Sequence, residues 1–495
     1  MTRSTLFLLA ALTPVVLLIH GYHPFSDDAA IYVAGVRKLI HPSLFRFDAA
    51  FVLANTRLSL FAHILAEAVR ITGLPLAIVL LAAHLLSIFL FLLGCWCVAT
   101  RLLEGEAERW AAVLLGAACF TLPAAGTALV LMDPYVTARS FSTPLALFAL
   151  AAALDRRWGF AVLFLVLMGL MHPLMALYAA ALVILYAVAD RGSARWAALA
   201  GALGIFAAFF IWLASRHVAV SHAYYESMHS GARSFLYLSE WQWYEDLGLI
   251  APLVLFGWAT ARTRSDSRSH RTRAHLLCLA CLVLGISSTA MALLFVHVSG
   301  PFLLVRLQPL RSFHILYVVG VVLLGGWLGR VMGHGRALWA LVLLLVIAAG
   351  ALFFMQRSIY PDSAHIEWPG AKPRNPWAQA YVWIRDNAPA NAVFAADPQL
   401  IFRPGVDMQG FRATAERSML ANDKDQGVAA AVDPSLAGTW AAQRDAQIGV
   451  DTMTDAEREQ RLRPLGATWL LLPAHAATKF PCPYKNAAAK VCRMD

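Results

Sequence analysis

The sequence predicts a polytopic α-helical membrane protein of about eleven transmembrane helices, with surface-lying helices in the first outer loop and a small C-terminal α/β extracytoplasmic domain. Three observations carry that prediction. Of the 495 residues, 59% are hydrophobic and only 14% charged, with a mean hydropathy of +0.61. Soluble domains carry about a quarter charged residues. Apolar runs of membrane-crossing length recur between residues 4 and 355. At residue 357 the composition breaks, and half of the chain's 30 acidic residues fall in the stretch that remains. Residues 1–356 therefore read as a membrane domain and 357–495 as a water-facing domain large enough to bury a small core. The net charge of +10 is spread over many loops, which argues for a topology signal and against nucleic acid as a partner.

Residues 4–19 form the first span. Arg3 followed by an apolar run resembles a signal peptide, but no small-residue cleavage site follows, so the segment reads as an uncleaved helix. The first outer loop, 20–73, contains HGYHPFSDDAAIYVAGVRKLIHPSLFRFD. Within it, residues 51–69 carry Asn55, Arg57, His63 and Glu67 at helical spacing. A crossing helix would turn these toward lipid, whereas an amphipathic helix lying on the surface hides only one face.

The later spans are placed at 74–99, 110–130, 144–154 with an extension back to 136, 158–171, 174–189, 196–214, 247–260, 275–298, 314–331 and 338–355. Starting from a cytoplasmic N-terminus, this order puts the loop with Arg262, Arg264, Arg268, Arg271 and Arg273 inside, as the positive-inside rule requires. Counting 51–69 as a further span would put it outside. The expected setting is a bacterial inner (cytoplasmic) membrane with the C-terminal domain periplasmic.

In that domain, residues 375–387 read as an amphipathic helix with Asn375 and Pro376 as its start signal, and 391–397 and 467–472 as strands. Cys95, Cys97, Cys119, Cys278 and Cys281 sit in or beside apolar runs and read as small buried hydrophobes. Cys482 and Cys492 lie in a polar region ten residues apart and could be bridged if it is extracytoplasmic.

The candidate site residues fall on the inferred outer side, each with two readings open. Asp27 and Asp28 either cap a helix starting at Ala29 or form a carboxylate pair in which mutual repulsion suits one to act as a base. Asp133 either pairs with Arg139 to hold a helix end or orients it toward an anionic substrate. His172 either sits at the interface or hydrogen-bonds a sugar hydroxyl or phosphate. Arg306, Gln308, Arg311 and His314 occupy one short turn, where the arginines either snorkel to lipid phosphates or hold a substrate anion. Tyr224, Tyr225, Glu226, His229 and Arg233 belong to an outer loop that either contacts sugar or, with its tryptophans, marks the aromatic belt. Arg412, Glu416 and Arg417 either face the membrane cleft or are ordinary surface charges.

No HExxH, paired CxxC or calcium-loop pattern is present, and Asp27 and Asp28 are adjacent rather than spaced as DxD. No cofactor is assigned, and a divalent cation (Mg or Mn) stays open. No phosphate-loop, Rossmann or serine-elbow pattern appears, which argues against use of ATP.

A long first outer loop with an acid pair soon after the first span, and a water-facing domain after the last, resembles the GT-C superfamily. These are polyprenyl-phosphate-sugar-dependent glycosyltransferases of the protein O-mannosyltransferase and aminoarabinose-transferase type. The resemblance implies a catalytic acid at Asp27 or Asp28, a second at Asp133, and a lipid-phosphate site among Arg139, Arg306 and Arg311. It also implies inverting transfer of a sugar from a polyprenyl-phosphate carrier to an acceptor hydroxyl on a glycan, lipid or protein; whether the chain works as a monomer stays open. The DE of many relatives is DD here. Two other classes compete: a secondary transporter, which predicts internal repeats and midplane charges not evident here, and a catalytically silent scaffold.

Overall fold

The computed structural model describes residues 1–192, 194–215, 220–229, 231–263, 269–296 and 302–494. Arg264 and Arg268 of the arginine-rich loop lie outside the described residues. The chain is a multi-pass helical membrane protein with a small extramembrane C-terminal domain. Among the described residues, seven helices are long and apolar enough to cross a membrane: Arg3–His20, Leu76–Leu102, Pro173–Arg191, Arg195–Leu213, Thr272–Val296, Leu304–Met332 and Ala337–Ile359. Ala138–Leu154 and Trp158–Met171 are apolar but shorter. The Trp243–Thr263 helix carries Glu245 and Asp246 in its first turn and Arg262 in its last. Length and composition alone thus give fewer crossings than the predicted total.

Two segments differ from expectation in shape. Residues 51–69 are not one helix, because Ala49–Arg57 and Phe61–Thr72 meet at 99°. The break is held where the Leu60 N–H donates to Leu170 O at 2.9 Å and the Ser59 hydroxyl to Met171 O at 2.6 Å. The predicted span 110–130 is a correction: the helix is Glu106–Ala118 and stops there. Its continuation contains Pro123 and Gly126 and folds back on itself, with a Pro123–Val130 bridge and Met132 N–H donating to Phe120 O at 2.8 Å. Within a helical membrane domain irregular backbone survives only when enclosed by protein or water, and Ala124, Thr127, Leu129 and Leu131 are buried.

Loops predicted on the inner side meet one another through ion pairs. Asp155 joins Arg101 at 2.7 Å and Arg273 at 3.4 Å, Asp190 joins Arg156 at 2.8 Å, and Glu108 joins Arg330 at 2.9 Å. The Phe313–Met332 helix packs closely on Glu106–Ala118. A Cβ at Gly325 would lie 2.6 Å from Ala112 Cα, and one at Gly329 2.8 Å from Glu108 Cα. Small residues let helix backbones approach in this way.

The C-terminal domain holds a five-stranded mixed sheet. β1 (Val393–Ala395) pairs in parallel with β2 (Ser418–Met419) and β3 (Trp469–Pro473). β5 (Ala489–Arg493) runs antiparallel between β3 and β4 (Tyr484–Lys485), and a Cys482–Cys492 disulfide ties the last hairpin. The Pro376–Asn387 helix starts where Asn375 Oδ1 accepts from the Trp377 and Ala378 N–H groups at 2.9 and 3.2 Å, as an N-cap should. Trp377, Tyr381 and Ile384 face Phe394, Phe411 and Trp469 in its core.

This domain is docked onto the first loop. The Gly410 N–H donates to Phe25 O at 2.8 Å and the Asp27 N–H to Met408 O at 2.9 Å. The fit is close because a Cβ at Gly410 would stand 2.1 Å from Ala30 Cβ. Arg412 completes the dock. It binds both Asp425 oxygens at 2.8 and 2.9 Å and donates through Nε to Asp48.

Candidate active site

Asp27 and Asp28 open the Asp27–Ile40 helix, whose N-cap Ser26 makes no side-chain cap bond. Their carboxylates are engaged elsewhere. The Tyr135 hydroxyl donates to Asp27 Oδ2 at 2.8 Å, and the Lys424 ammonium bonds Asp27 Oδ1. The same ammonium lies 2.8 Å from Asp28 Oδ1. Arg139 donates to Asp28 Oδ2 at 2.8 Å and to Asp133 Oδ2 at 3.0 Å, and Asp133 also accepts from the Thr137 hydroxyl at 3.2 Å. Lys424, Asp28, Arg139 and Asp133 thus form one chain of alternating charge.

Electrostatics follow from that chain. Burial alone would raise the Asp28 carboxyl, but Lys424 and Arg139 outweigh it and hold the group well below the usual carboxylate range. Burial likewise opposes the Lys424 charge, yet Asp27 and then Asp28 raise the ammonium above its ordinary value. Asp133 is pushed up by burial, against the pull of Arg139.

The acid pair and Lys424 line a cavity of about 770 Å³ between the membrane helices and the C-terminal domain. Arg139, His172, Arg306, Gln308 and Arg311 line the same cavity, and so does Arg233. Three of these arginines have no acidic partner among the described residues. Arg306 donates to Ala431 O at 2.8 Å, Arg311 to Thr127 O at 3.3 Å and Arg233 to Gly427 O at 3.3 Å. Arg311 also lies over the Phe235 ring at 4.4 Å. Burial, then the neighbouring Arg311, pulls the Arg233 guanidinium down to about 10.

One Arg233 terminal nitrogen and the Gln308 side-chain carbonyl are buried with no hydrogen-bond partner among the described residues. Unsatisfied buried polar atoms in a cavity wall suit a ligand that satisfies them. Asp27, Ala128, Gln308 and Met408 all line the cavity with φ between 48° and 54°. Non-glycine residues rarely adopt that left-handed conformation, and strain of this kind gathers at functional sites.

His172 has a double position. It lines the cavity, and its Nδ1 accepts from the Met175 N–H at 3.4 Å, capping the helix that Pro173 begins. Burial, then Arg139 and Arg311, drives its imidazole down to about 3, so the ring is neutral. His314 is buried instead, within reach of Leu131 O at 3.0 Å.

Several sequence candidates lie elsewhere. Tyr224 is outside the cavity wall, buried against Arg306 and hydrogen-bonded by it. Glu226 is at the surface, 3.6 Å from His222. Arg412 is committed to Asp48 and Asp425, and Arg417 to the carbonyls of Arg385 and Ala388 at 2.8 and 2.7 Å. Arg412, Arg417 and Glu226 do not line the cavity. Lys424 and Tyr135 are the partners that sequence reasoning missed.

A divalent cation does not fit the acid pair. Both oxygens of each carboxylate already accept from a cation or a phenol, and among the described residues no group of three or more His, Cys, Asp or Glu is placed to hold a metal.

Fold and site together define a class: a multi-pass helical membrane protein whose extramembrane domain closes a charged chamber against the membrane helices. No family model matches the sequence, and no curated protein does. Among solved structures, the chain is similar to the archaeal oligosaccharyltransferase AglB from Archaeoglobus fulgidus, solved in complex with an inhibitory peptide and a dolichol-phosphate. The two superpose with a TM-score of 0.40 at 12% identity, over 95% of this chain and 69% of that one. Likeness at that level transfers no residue roles.

Proposed function

We propose that the protein transfers a sugar from a polyprenyl-phosphate carrier to an acceptor hydroxyl, in the cavity between its membrane helices and its C-terminal domain. The observation that carries this reading is the convergence on one cavity of about 770 Å³ of an acid pair and three arginines with no acidic partner among the described residues. Guanidinium groups without carboxylates suit a phosphate, and carboxylates facing them suit the hydroxyl that attacks. The resemblance of the first loop to GT-C enzymes supports the same chemistry.

In this scheme Arg233, Arg306 and Arg311 hold the carrier phosphate. The acceptor oxygen attacks the anomeric carbon as the bond from that carbon to the phosphate oxygen breaks. The hydroxyl proton passes to the acid pair, and the electron pair of the broken bond leaves on the polyprenyl phosphate. Both carboxylates meet the Lys424 ammonium, so the pair orients the acceptor hydroxyl and one of the two takes its proton. Phosphate leaves readily, and the arginines stabilise the charge that grows on it. A single displacement inverts the sugar. In this reading the chamber is periplasmic, the side that the loop charges predict under the positive-inside rule.

The test is sugar transfer by purified protein from a set of polyprenyl-phosphate-linked sugars, with Asp27→Asn and Asp28→Asn measured separately. At least one of the two must abolish transfer. Wild-type rates in both variants, or solute uptake by proteoliposomes in place of transfer, would reject the assignment.

A further inference from the structure

Two adjacent carboxylates beside a phosphate-binding cavity are an ordinary donor set for Mg²⁺ or Mn²⁺. Here every oxygen of the pair is already taken. Asp27 gives one oxygen to Lys424 and the other to Tyr135, and Asp28 gives one to Lys424 and the other to Arg139. Lys424 stands between the carboxylates, where a bridging cation would stand, and it lines the cavity. An ammonium has three protons. The carboxylates use two, and the third has no partner among the described residues.

We infer that Lys424 is a built-in replacement for a divalent cation at the acid pair. It is a positioning residue. It bridges the two carboxylates and presents one positive charge to the substrate phosphate without metal. This inference rests on the proposed sugar transfer only for the identity of that phosphate.

The fold explains how a lysine reaches this place. Lys424 lies in the 420–427 turn that follows β2. Asn422 Oδ1 accepts from the Lys424 and Asp425 N–H groups at 3.0 and 3.2 Å, and Arg412 grips Asp425 while touching Asp48 of the first loop. The cation is therefore delivered by the C-terminal domain, so the acid pair is complete only when that domain is docked.

The experiment is Mn²⁺ binding to the full-length protein in lipid nanodiscs, read by electron paramagnetic resonance. Wild type should bind no more Mn²⁺ than Asp28→Asn does. Lys424→Met should gain about one Mn²⁺ per chain, since vacated carboxylates recruit a hard cation, and Lys424→Met with Asp28→Asn should lose it again. Lys424→Arg keeps the charge and should gain none. Mn²⁺ held by wild type through Asp27 and Asp28 would overturn the inference, whatever becomes of the variants. So would a folded Lys424→Met protein, judged by its thermal transition, that gains no Mn²⁺. The readout needs no turnover, so failure of the transfer reaction would leave the Mn²⁺ result standing and would count against the function alone.

Discussion

Arg139→Met is the perturbation whose cost can be worked out from the site. Arg139 lies between Asp28 at 2.8 Å and Asp133 at 3.0 Å, with its side chain 10% exposed and that of Asp133 6% exposed. Removing it affects the two carboxylates unequally, because Asp28 keeps Lys424 while Asp133, among the described residues, keeps only the Thr137 hydroxyl. The penalty sits on Asp133. Breaking one side of a buried pair costs about 3–5 kcal/mol, most of it from the charge left behind. Asp133→Asn in the Arg139→Met background removes that charge and should return most of the loss, a coupling of neighbouring residues that a double-mutant cycle reads directly.

The cost also has a pH sign. Burial already raises the Asp133 carboxyl, and without Arg139 it should rise further. The variant then regains stability as pH falls and Asp133 takes up a proton, and loses it as pH rises. Thermal unfolding can be followed by dye labelling of Cys95, Cys278 and Cys281, which are at most 1% exposed when folded. An Arg139→Met protein that melts with wild type, or a double variant no better than the single, would refute the reasoning.

Other perturbations test other links. Gly410→Ala puts a Cβ within 2.1 Å of Ala30 Cβ, so limited proteolysis should find the C-terminal domain loosened and transfer should fall at least tenfold, while the buried cysteines stay protected. Arg412→Leu leaves Asp48 and Asp425 without their shared cation and should cut transfer by releasing Lys424, visible as a lower kcat with a folded protein. The His172 imidazole lies well below the unfolded value of about 6.5. Below that value the unfolded chain binds the extra proton, so His172 destabilises the fold increasingly as pH drops toward about 3. His172→Gln should flatten the decline in melting temperature on acidification, and an unchanged slope would refute the burial of a neutral ring.

The helices were legible because apolar length and loop charge are local signals. The segment 110–130 misled for the same reason: an apolar run around Pro123 and Gly126 reads as a span until tertiary packing encloses it. The order of spans predicts Asp27, Asp28, Asp133, Arg139, His172, Arg306 and Arg311 on one side, and all of them but Asp133 line the one cavity. Lys424 was not legible. It stands between Asp423 and Asp425 in a polar stretch that resembles a solvated surface, and only the close approach at Gly410 and the Arg412 clamp turn it inward. For Arg412 and Arg417 the sequence shows a guanidinium but not the carboxylates or carbonyls that it meets in the fold. Arg233 emerged from its loop because its unpaired nitrogen is visible only once the chain is folded.

The central claim, that the arginine cluster and the acid pair address one phosphate-bearing lipid, is tested most directly by binding of polyprenyl phosphate to the intact protein, measured by native mass spectrometry against uncharged polyprenol. Charge-assisted hydrogen bonds contribute about 1.5–3 kcal/mol each, so Arg306→Gln and Arg311→Gln should each weaken the phosphate lipid by roughly 10- to 100-fold and leave polyprenol unaffected. Equal binding of the two lipids by wild type, or full binding of the phosphate by a variant lacking both arginines, would contradict the account.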